Sequence, residues 1–114
     1  MKFMITFNHI DGVWEALTQE QREGHVAELR AFSADLAREK QSRMVFLSPA
    51  RKTIRKHADG RRTVDDGFAL PGNEQPGGYY IIEAESWDEA VAWAQKGRMV
   101  TGSNEVRQIL EMNM

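Results

Sequence analysis

Cysteine is absent from the 114 residues. That absence excludes a disulfide framework, a thiolate nucleophile and a thiolate zinc site together. Long apolar runs are missing as well. No stretch nears the roughly 18 consecutive apolar residues of a spanning helix. The short apolar opening at residues 1–7 runs into polar Asn8 and His9, without the core or cleavage site of a secretory signal. A cytoplasmic protein with no membrane partner is therefore expected. Neither charge is in excess: 15 Lys and Arg face 17 Asp and Glu, a net charge of −2. The molecule as a whole exerts no pull on nucleic acid or acidic lipid. What is present is ordinary for a globular chain, 41% hydrophobic and 28% charged residues, and excludes the disordered and fibrous classes. The length suits one domain over residues 1–114, burying roughly two-thirds of its unfolded surface.

Lys2-Phe3-Met4-Ile5-Thr6-Phe7 alternates Phe3, Ile5 and Phe7 onto one side and predicts a strand with a buried face. A loop through Asp11 and Gly12 follows. Thr18-Gln19-Glu20-Gln21 has the spacing of a capping box and predicts a helix from there to about Lys40. Its inward stripe is His25, Leu29, Phe32 and Leu36, with Val26 alongside. Met44-Val45-Phe46-Leu47 predicts a short strand stopped by Ser48-Pro49. Residues 53–64 centre on Asp59-Gly60, a pair suited to a tight hairpin turn. The Gly- and Pro-rich residues 65–78 predict a loop without regular structure, long enough to wall a pocket.

Residues 78–84, rich in aromatic and β-branched side chains, predict the next strand. Ser86-Trp87-Asp88-Glu89 reads as a second capping box, opening a helix to residue 95 or 96 with Gly97 as its cap. Its apolar stripe is Trp87, Ala90, Val91 and Ala94, with Trp93 beside it. Alternation over residues 105–112 predicts a final strand. Two helices with one apolar stripe each need the same face of one sheet. The expected fold is therefore α+β, a ferredoxin-like antiparallel sheet with two helices on one face and an added β-hairpin. The opposite face receives one of Tyr79 and Tyr80, together with Ile81 or Ile82. An apolar face of that kind needs cover, and a homodimer with its sheets face to face is expected.

Three groups of residues carry candidate chemistry. His25 sits in the early turns of the first helix, on the stripe that faces inward, where an imidazole can act as a general base; the plain alternative is a histidine satisfied by a loop carbonyl. His9 and Asp11 follow the first strand, and Asp11 could orient the His25 ring as carboxylates do in acid/base pairs. Asp66, beside Asp65, is a rival for that role. His9, His25 and Asp11 lack any local spacing for a metal, so no metal or other cofactor is expected. The segment holding Arg51, Lys52, Arg55, Lys56, His57, Arg61 and Arg62 is strongly basic. It has no stacking aromatics among its cations, so nucleic acid is not expected as a partner and a solvated hairpin is. Arg51, next to a buried strand, is the candidate for holding a small anion. Trp14, on a loop, could roof a pocket, whereas Trp87, Trp93 and the tyrosines suit core or dimer packing.

Several pieces of the chain, taken in order, resemble the YCII-related proteins, and within them the DGPF branch. They are Met1-Lys2-Phe3-Met4-Ile5, Asp65-Asp66-Gly67-Phe68, Gly77-Gly78-Tyr79-Tyr80-Ile81-Ile82-Glu83-Ala84, Asp88-Glu89-Ala90-Val91-Ala92-Trp93-Ala94 and Glu105-Val106-Arg107. The resemblance implies a dimeric α+β barrel and kinship with small cofactor-free enzymes. It also implies a pocket His–Asp pair, whose histidine context His-x-x-x-Leu is matched by His25-Val26-Ala27-Glu28-Leu29; no motif places the aspartate. The signature loop departs from the branch. It lacks the proline after Gly67, and Leu70-Pro71-Gly72-Asn73 stands where acidic and lysine residues are usual. The function read from the sequence is a small-ligand-binding or regulatory accessory module, its ligand a small anionic or aromatic molecule. The alternative is a cofactor-independent acid/base enzyme of the lyase or hydrolase kind that uses His25.

Overall fold

Phe3, Ile5 and Phe7 fix the first element, as their alternation requires. Strand β1 (Lys2–Ile10) buries all three and turns Met4, Thr6 and Asn8 to the other side. It runs on through Ile10, so His9 lies on a strand and not on the expected loop. The computed structural model describes residues 1–97 and 102–112. A short helix α1 (Val13–Ala16) follows, entered through Gly12 at φ 84, a left-handed conformation that favours glycine. Trp14 is therefore helical, again not on a loop.

Helix α2 (Gln19–Lys40) starts at the predicted capping box. The Gln21 N–H donates to Thr18 Oγ1 (3.1 Å) and the Thr18 N–H donates to Gln21 Oε1 (2.9 Å). Only the C-terminal half of its stripe closes the core, with Phe32 and Leu36 buried, while His25, Val26 and Leu29 are half-buried. The helix ends at Gln41 in the left-handed region. Strand β2 (Val45–Phe46) is brief. Strands β3 (Thr53–Lys56) and β4 (Arg62–Asp65) form the expected hairpin, turning at Gly60 with φ 87.

Strand β5 (Glu74–Glu83) begins inside the segment expected to be loop, which shrinks to 66–73. Pairing supplies the reason: residues 74–76 find partners on the C-terminal extension of β1, so their backbone groups are satisfied in the sheet despite Pro76 and two glycines. Helix α3 (Trp87–Lys96) has the Ser86 cap, the Glu89 N–H donating to Ser86 Oγ at 3.1 Å. The capping box is only half there. The Glu89 carboxylate accepts from the Glu85 N–H (2.7 Å) and from Lys40 Nζ (2.5 Å), drawn away from the cap by that ammonium. The same Lys40 donates to the Glu83 carbonyl at 2.8 Å, fastening the end of α2 to the end of β5. Ala90, Trp93 and Ala94 face inward; Trp87 and Val91 are largely exposed, so the stripe is rotated from the one expected, and Trp87 lies edge-on against Phe3. The last strand, β6 (Asn104–Gln108), is shorter than predicted.

The sheet order is β2-β5-β1-β6, all neighbours antiparallel, the arrangement of a ferredoxin-like fold with β3-β4 inserted between its second and third core strands. Phe32 and Leu36 from α2 and Ala90, Trp93 and Ala94 from α3 pack on the same Phe3, Ile5, Phe7, Tyr80 and Ile82. Both helices thus cover one face, each large side chain contributing about 1.5–3 kcal/mol by burial. Burial also pushes the Tyr80 phenol well above its ordinary pKa. The other face presents Met4, Thr6, Val45, Tyr79 and the exposed Ile81. Among the described residues the hairpin pairs only with itself, and the radius of gyration is 16.6 Å where about 13 Å is usual for this length. No helix among the described residues is long and apolar enough to cross a membrane.

Candidate functional site

Beyond Leu29 the two layers part. The N-terminal half of α2, the extension of β1, α1, the chain after β2 and the 66–73 loop enclose a cavity of about 910 Å³. Leu29, Phe7, Phe46, Leu47 and Phe68 give it apolar and aromatic walls, and Phe46 and Leu47 are left largely exposed. Trp14 stands at one side. Its helix is held by Arg22, which donates from Nε to the Trp14 carbonyl (3.0 Å) and from Nη2 to that of Glu15 (2.8 Å). The Trp14 carbonyl also accepts the Leu17 N–H (3.2 Å), so Arg22 adds a second bond there and a first to Glu15 at the end of the short helix.

The polar lining is small. His25 enters from α2 and His9 from β1. His9 Nε2 lies 3.8 Å from Asp11 Oδ1, and both side chains are about half exposed. That distance is an ion-pair distance for a protonated ring and too long for a hydrogen bond. Asp11 is itself positioned by its backbone N–H, which donates to the Asn73 carbonyl at 3.0 Å and ties the 66–73 loop to the end of β1. The carboxylate expected to orient His25 is thus placed beside His9. Asp66 lies outside the cavity, paired with Lys52 at 2.6 Å on the exposed hairpin. Among the described residues no group of three or more His, Asp and Glu side chains is arranged to hold a metal ion.

Arg51 lines the cavity with its guanidinium carbon over the Phe68 ring, 3.6 Å from the centroid, and donates to the Pro49 carbonyl at 2.8 Å. Stacking of this kind fixes the planar fork while leaving its other donors available. The other basic residues are used differently. Arg55 donates to Asp65 Oδ2 (2.8 Å) and to the Phe68 carbonyl (2.8 Å). That guanidinium, with the Gly67 N–H, holds the Asp65 carboxyl below its ordinary pKa. Lys52 and Arg61 also face acids, Asp66 and Asp59. These pairs answer three of the six lysines and arginines of the segment within the hairpin.

Of the six residues singled out from the sequence, His9, Asp11, Trp14, His25 and Arg51 meet at one cavity, and Asp66 does not. Sequence reasoning missed Gln75, Phe68 and Phe46. Phe46 and Phe68 carry no signal beyond being apolar next to turns. Gln75 was hidden by a β-bulge: Phe7 pairs with Gly78 but Asn8 with Pro76, so Gly77 is extra and the faces of β5 exchange there. Gln75 consequently turns to the helix side and is buried at 6% exposure.

A ferredoxin-like α+β sheet with an inserted hairpin and a cavity at the end of its helix-covered face defines the class. The chain belongs to the YCII-related domain family, whose model matches residues 1–113. No curated protein matches it. Among solved structures it is similar to 5-chloro-2-hydroxyhydroquinone dehydrochlorinase (TftG) from Burkholderia phenoliruptrix, determined in complex with 2,5-dihydroxybenzoquinone. The identity is 18% with a TM-score of 0.50, over 98% of this chain and 96% of that one. At that identity the likeness is one of fold.

Proposed function

We propose that the chain is one domain that binds a small planar aromatic anion in this cavity and works as a homodimer. The observation that carries the reading is the convergence on one void of about 910 Å³ of two imidazoles, aromatic walls and a guanidinium with no acidic partner among the described residues. Arg51 would hold the anion, Trp14 and Phe68 would bracket the ring, and His9 and His25 would meet its oxygen substituents. The complex of the similar dehydrochlorinase with 2,5-dihydroxybenzoquinone supports a ligand of this shape. Titration with para-hydroxybenzoate, followed by NMR of the histidine rings, tests the reading. Shifts of His9 and His25, and an affinity about tenfold weaker in Arg51→Ala, are expected from loss of one charge-assisted pair. Histidine signals unmoved by millimolar ligand would remove the cavity from consideration.

A second reading is acid/base catalysis on the same ligand, favoured by the placement of Asp11 beside His9 within the cavity. In it His9 moves the proton with Asp11 as its counter-charge, and His25 faces them across the ligand. The discriminating result is a turnover that falls by two or more orders of magnitude in His9→Gln while ligand affinity stays within severalfold.

The homodimer reading rests on the uncovered sheet face of Met4, Val45, Tyr79 and Ile81. Sedimentation at micromolar concentration should show a dimer, and Ile81→Asp, which puts a charge at the centre of that face, should show a folded monomer. A compact wild-type monomer would refute the assembly.

A further inference from the structure

Gln75 is a buried polar side chain that the fold has no evident need to bury. Its Nε2 donates to two carbonyls, Leu70 at 3.1 Å and Gly72 at 3.0 Å. Two carbonyl acceptors can be met only by an NH₂ group, so these bonds fix which end of the amide is which. The Oε1 is thereby forced to the opposite side. Among the described residues it accepts no hydrogen bond, and the space that Gln75 lines is the cavity. On the neighbouring strand His9 is its direct cross-strand partner, which places the two side chains next to each other on one face, with Cβ atoms about 5 Å apart.

A fixed carbonyl oxygen at the cavity wall is an acceptor that cannot rotate into a donor. Turning the amide over would set Oε1 against two carbonyl oxygens and leave both of them unanswered. From this geometry we propose that Gln75 is a specificity-determining residue that selects ligands carrying a hydroxyl donor, and that the hydroxyl it reads lies next to the His9 imidazole. The inference rests on the ligand-binding reading above and narrows it to hydroxylated aromatic anions. An analogue lacking the hydroxyl would leave Oε1 desolvated and unpaired, which is how sites built around a donor reject isosteres.

The test compares meta- and para-hydroxybenzoate with meta- and para-fluorobenzoate. Fluorine is close to hydroxyl in size but cannot donate. At least one hydroxy isomer should bind about tenfold or more tightly than its fluoro counterpart and shift the Gln75 side-chain amide signals in ¹H–¹⁵N spectra. Gln75→Met, which keeps the length of the side chain and loses the acceptor, should bind the two within about twofold of each other. Where that variant does not fold, the wild-type comparison decides alone. If hydroxy and fluoro partners bind equally in the cavity, the inference about Gln75 is overturned and the ligand-binding reading stands. If none of the four disturbs any cavity resonance, both fall.

Discussion

Gly77 and Gly78 are adjacent in the chain, yet the same substitution should damage different properties at each. A Cβ on Gly78 would overlap the Phe7 ring and the Val45 carbonyl oxygen. Phe7 is buried in the core, and the Val45 carbonyl belongs to the edge strand paired with β5. Neither can yield without moving backbone or core. Overpacking of this kind costs about 1–3 kcal/mol or somewhat more, and alanine returns about 0.5–1 kcal/mol by restricting the unfolded chain. A net loss of about 2 kcal/mol should lower the melting temperature of Gly78→Ala by roughly 8 °C. A Cβ on Gly77 would stand 2.8 Å from His9 Nδ1 and 3.5 Å from the Phe7 carbonyl oxygen. There the close neighbour is the end of a half-exposed side chain, which rotates away for about 1 kcal/mol or less. Gly77→Ala should therefore melt within about 3 °C of wild type, while its His9 ring resonances shift and ligand affinity drops severalfold. Thermal unfolding by circular dichroism and histidine NMR on both variants make the check. A Gly78→Ala melting temperature unchanged from wild type, or a Gly77→Ala that is the less stable of the two, would refute the reasoning.

Two further predictions concern the ends of the helices. The Lys40 ammonium, and then the Glu85 N–H, hold the Glu89 carboxyl below its ordinary value of 4.5. A depressed folded pKa contributes stability that is present above the unfolded value and is lost as pH falls through the folded one. Melting temperature should thus fall more steeply below about pH 4.5 in wild type than in Glu89→Gln, and parallel curves from pH 6 to pH 3 would show that this ion pair carries no linkage. Gln41, at φ 48 and ψ 39, is a non-glycine residue in the left-handed cap of α2. Gln41→Gly should stabilise by about 0.5–1 kcal/mol in urea unfolding, since glycine takes this conformation without a Cβ penalty; an unchanged or lower midpoint contradicts that.

Much of the fold was legible because it rests on local rules. Alternation located β1, and Thr18 with Gln21 located the start of α2 through a reciprocal pair of hydrogen bonds that the structure contains. Asp59-Gly60 located the hairpin turn, with Gly60 at positive φ. Where the reading failed, a distant partner decided. Glu89 has the right spacing for a second capping box, but Lys40, 49 residues away, holds its carboxylate elsewhere. The face of α3 is rotated: Trp93 is buried edge-on against Phe32, which itself packs on Tyr80, and Trp87 is left at the rim.

The site was less legible than the fold for a reason that lies in β5. Counting back by twos from inward-facing Tyr80 reaches Gly78 and then Pro76, so a regular strand would turn Gln75 to the sheet face that the helices leave uncovered. The extra residue Gly77 reverses that parity and turns Gln75 to the helix side, opposite His9. The same bulge gives the His9 ring its room, since any side chain at Gly77 would meet Nδ1. It also lets β1 and β5 stay paired to Ile10 and Glu74, which carries His9 past the last core residue, Phe7, and out over the cavity. A bulge is a property of two strands in register, and neither strand's pattern contains it alone. His25, by contrast, was found from one helix, because its place on the stripe with Leu29, Phe32 and Leu36 depends only on that helix's own period. His9 could be named in advance but its neighbour could not, because the bulge brings Gln75 opposite it and pairing between strands does that selecting.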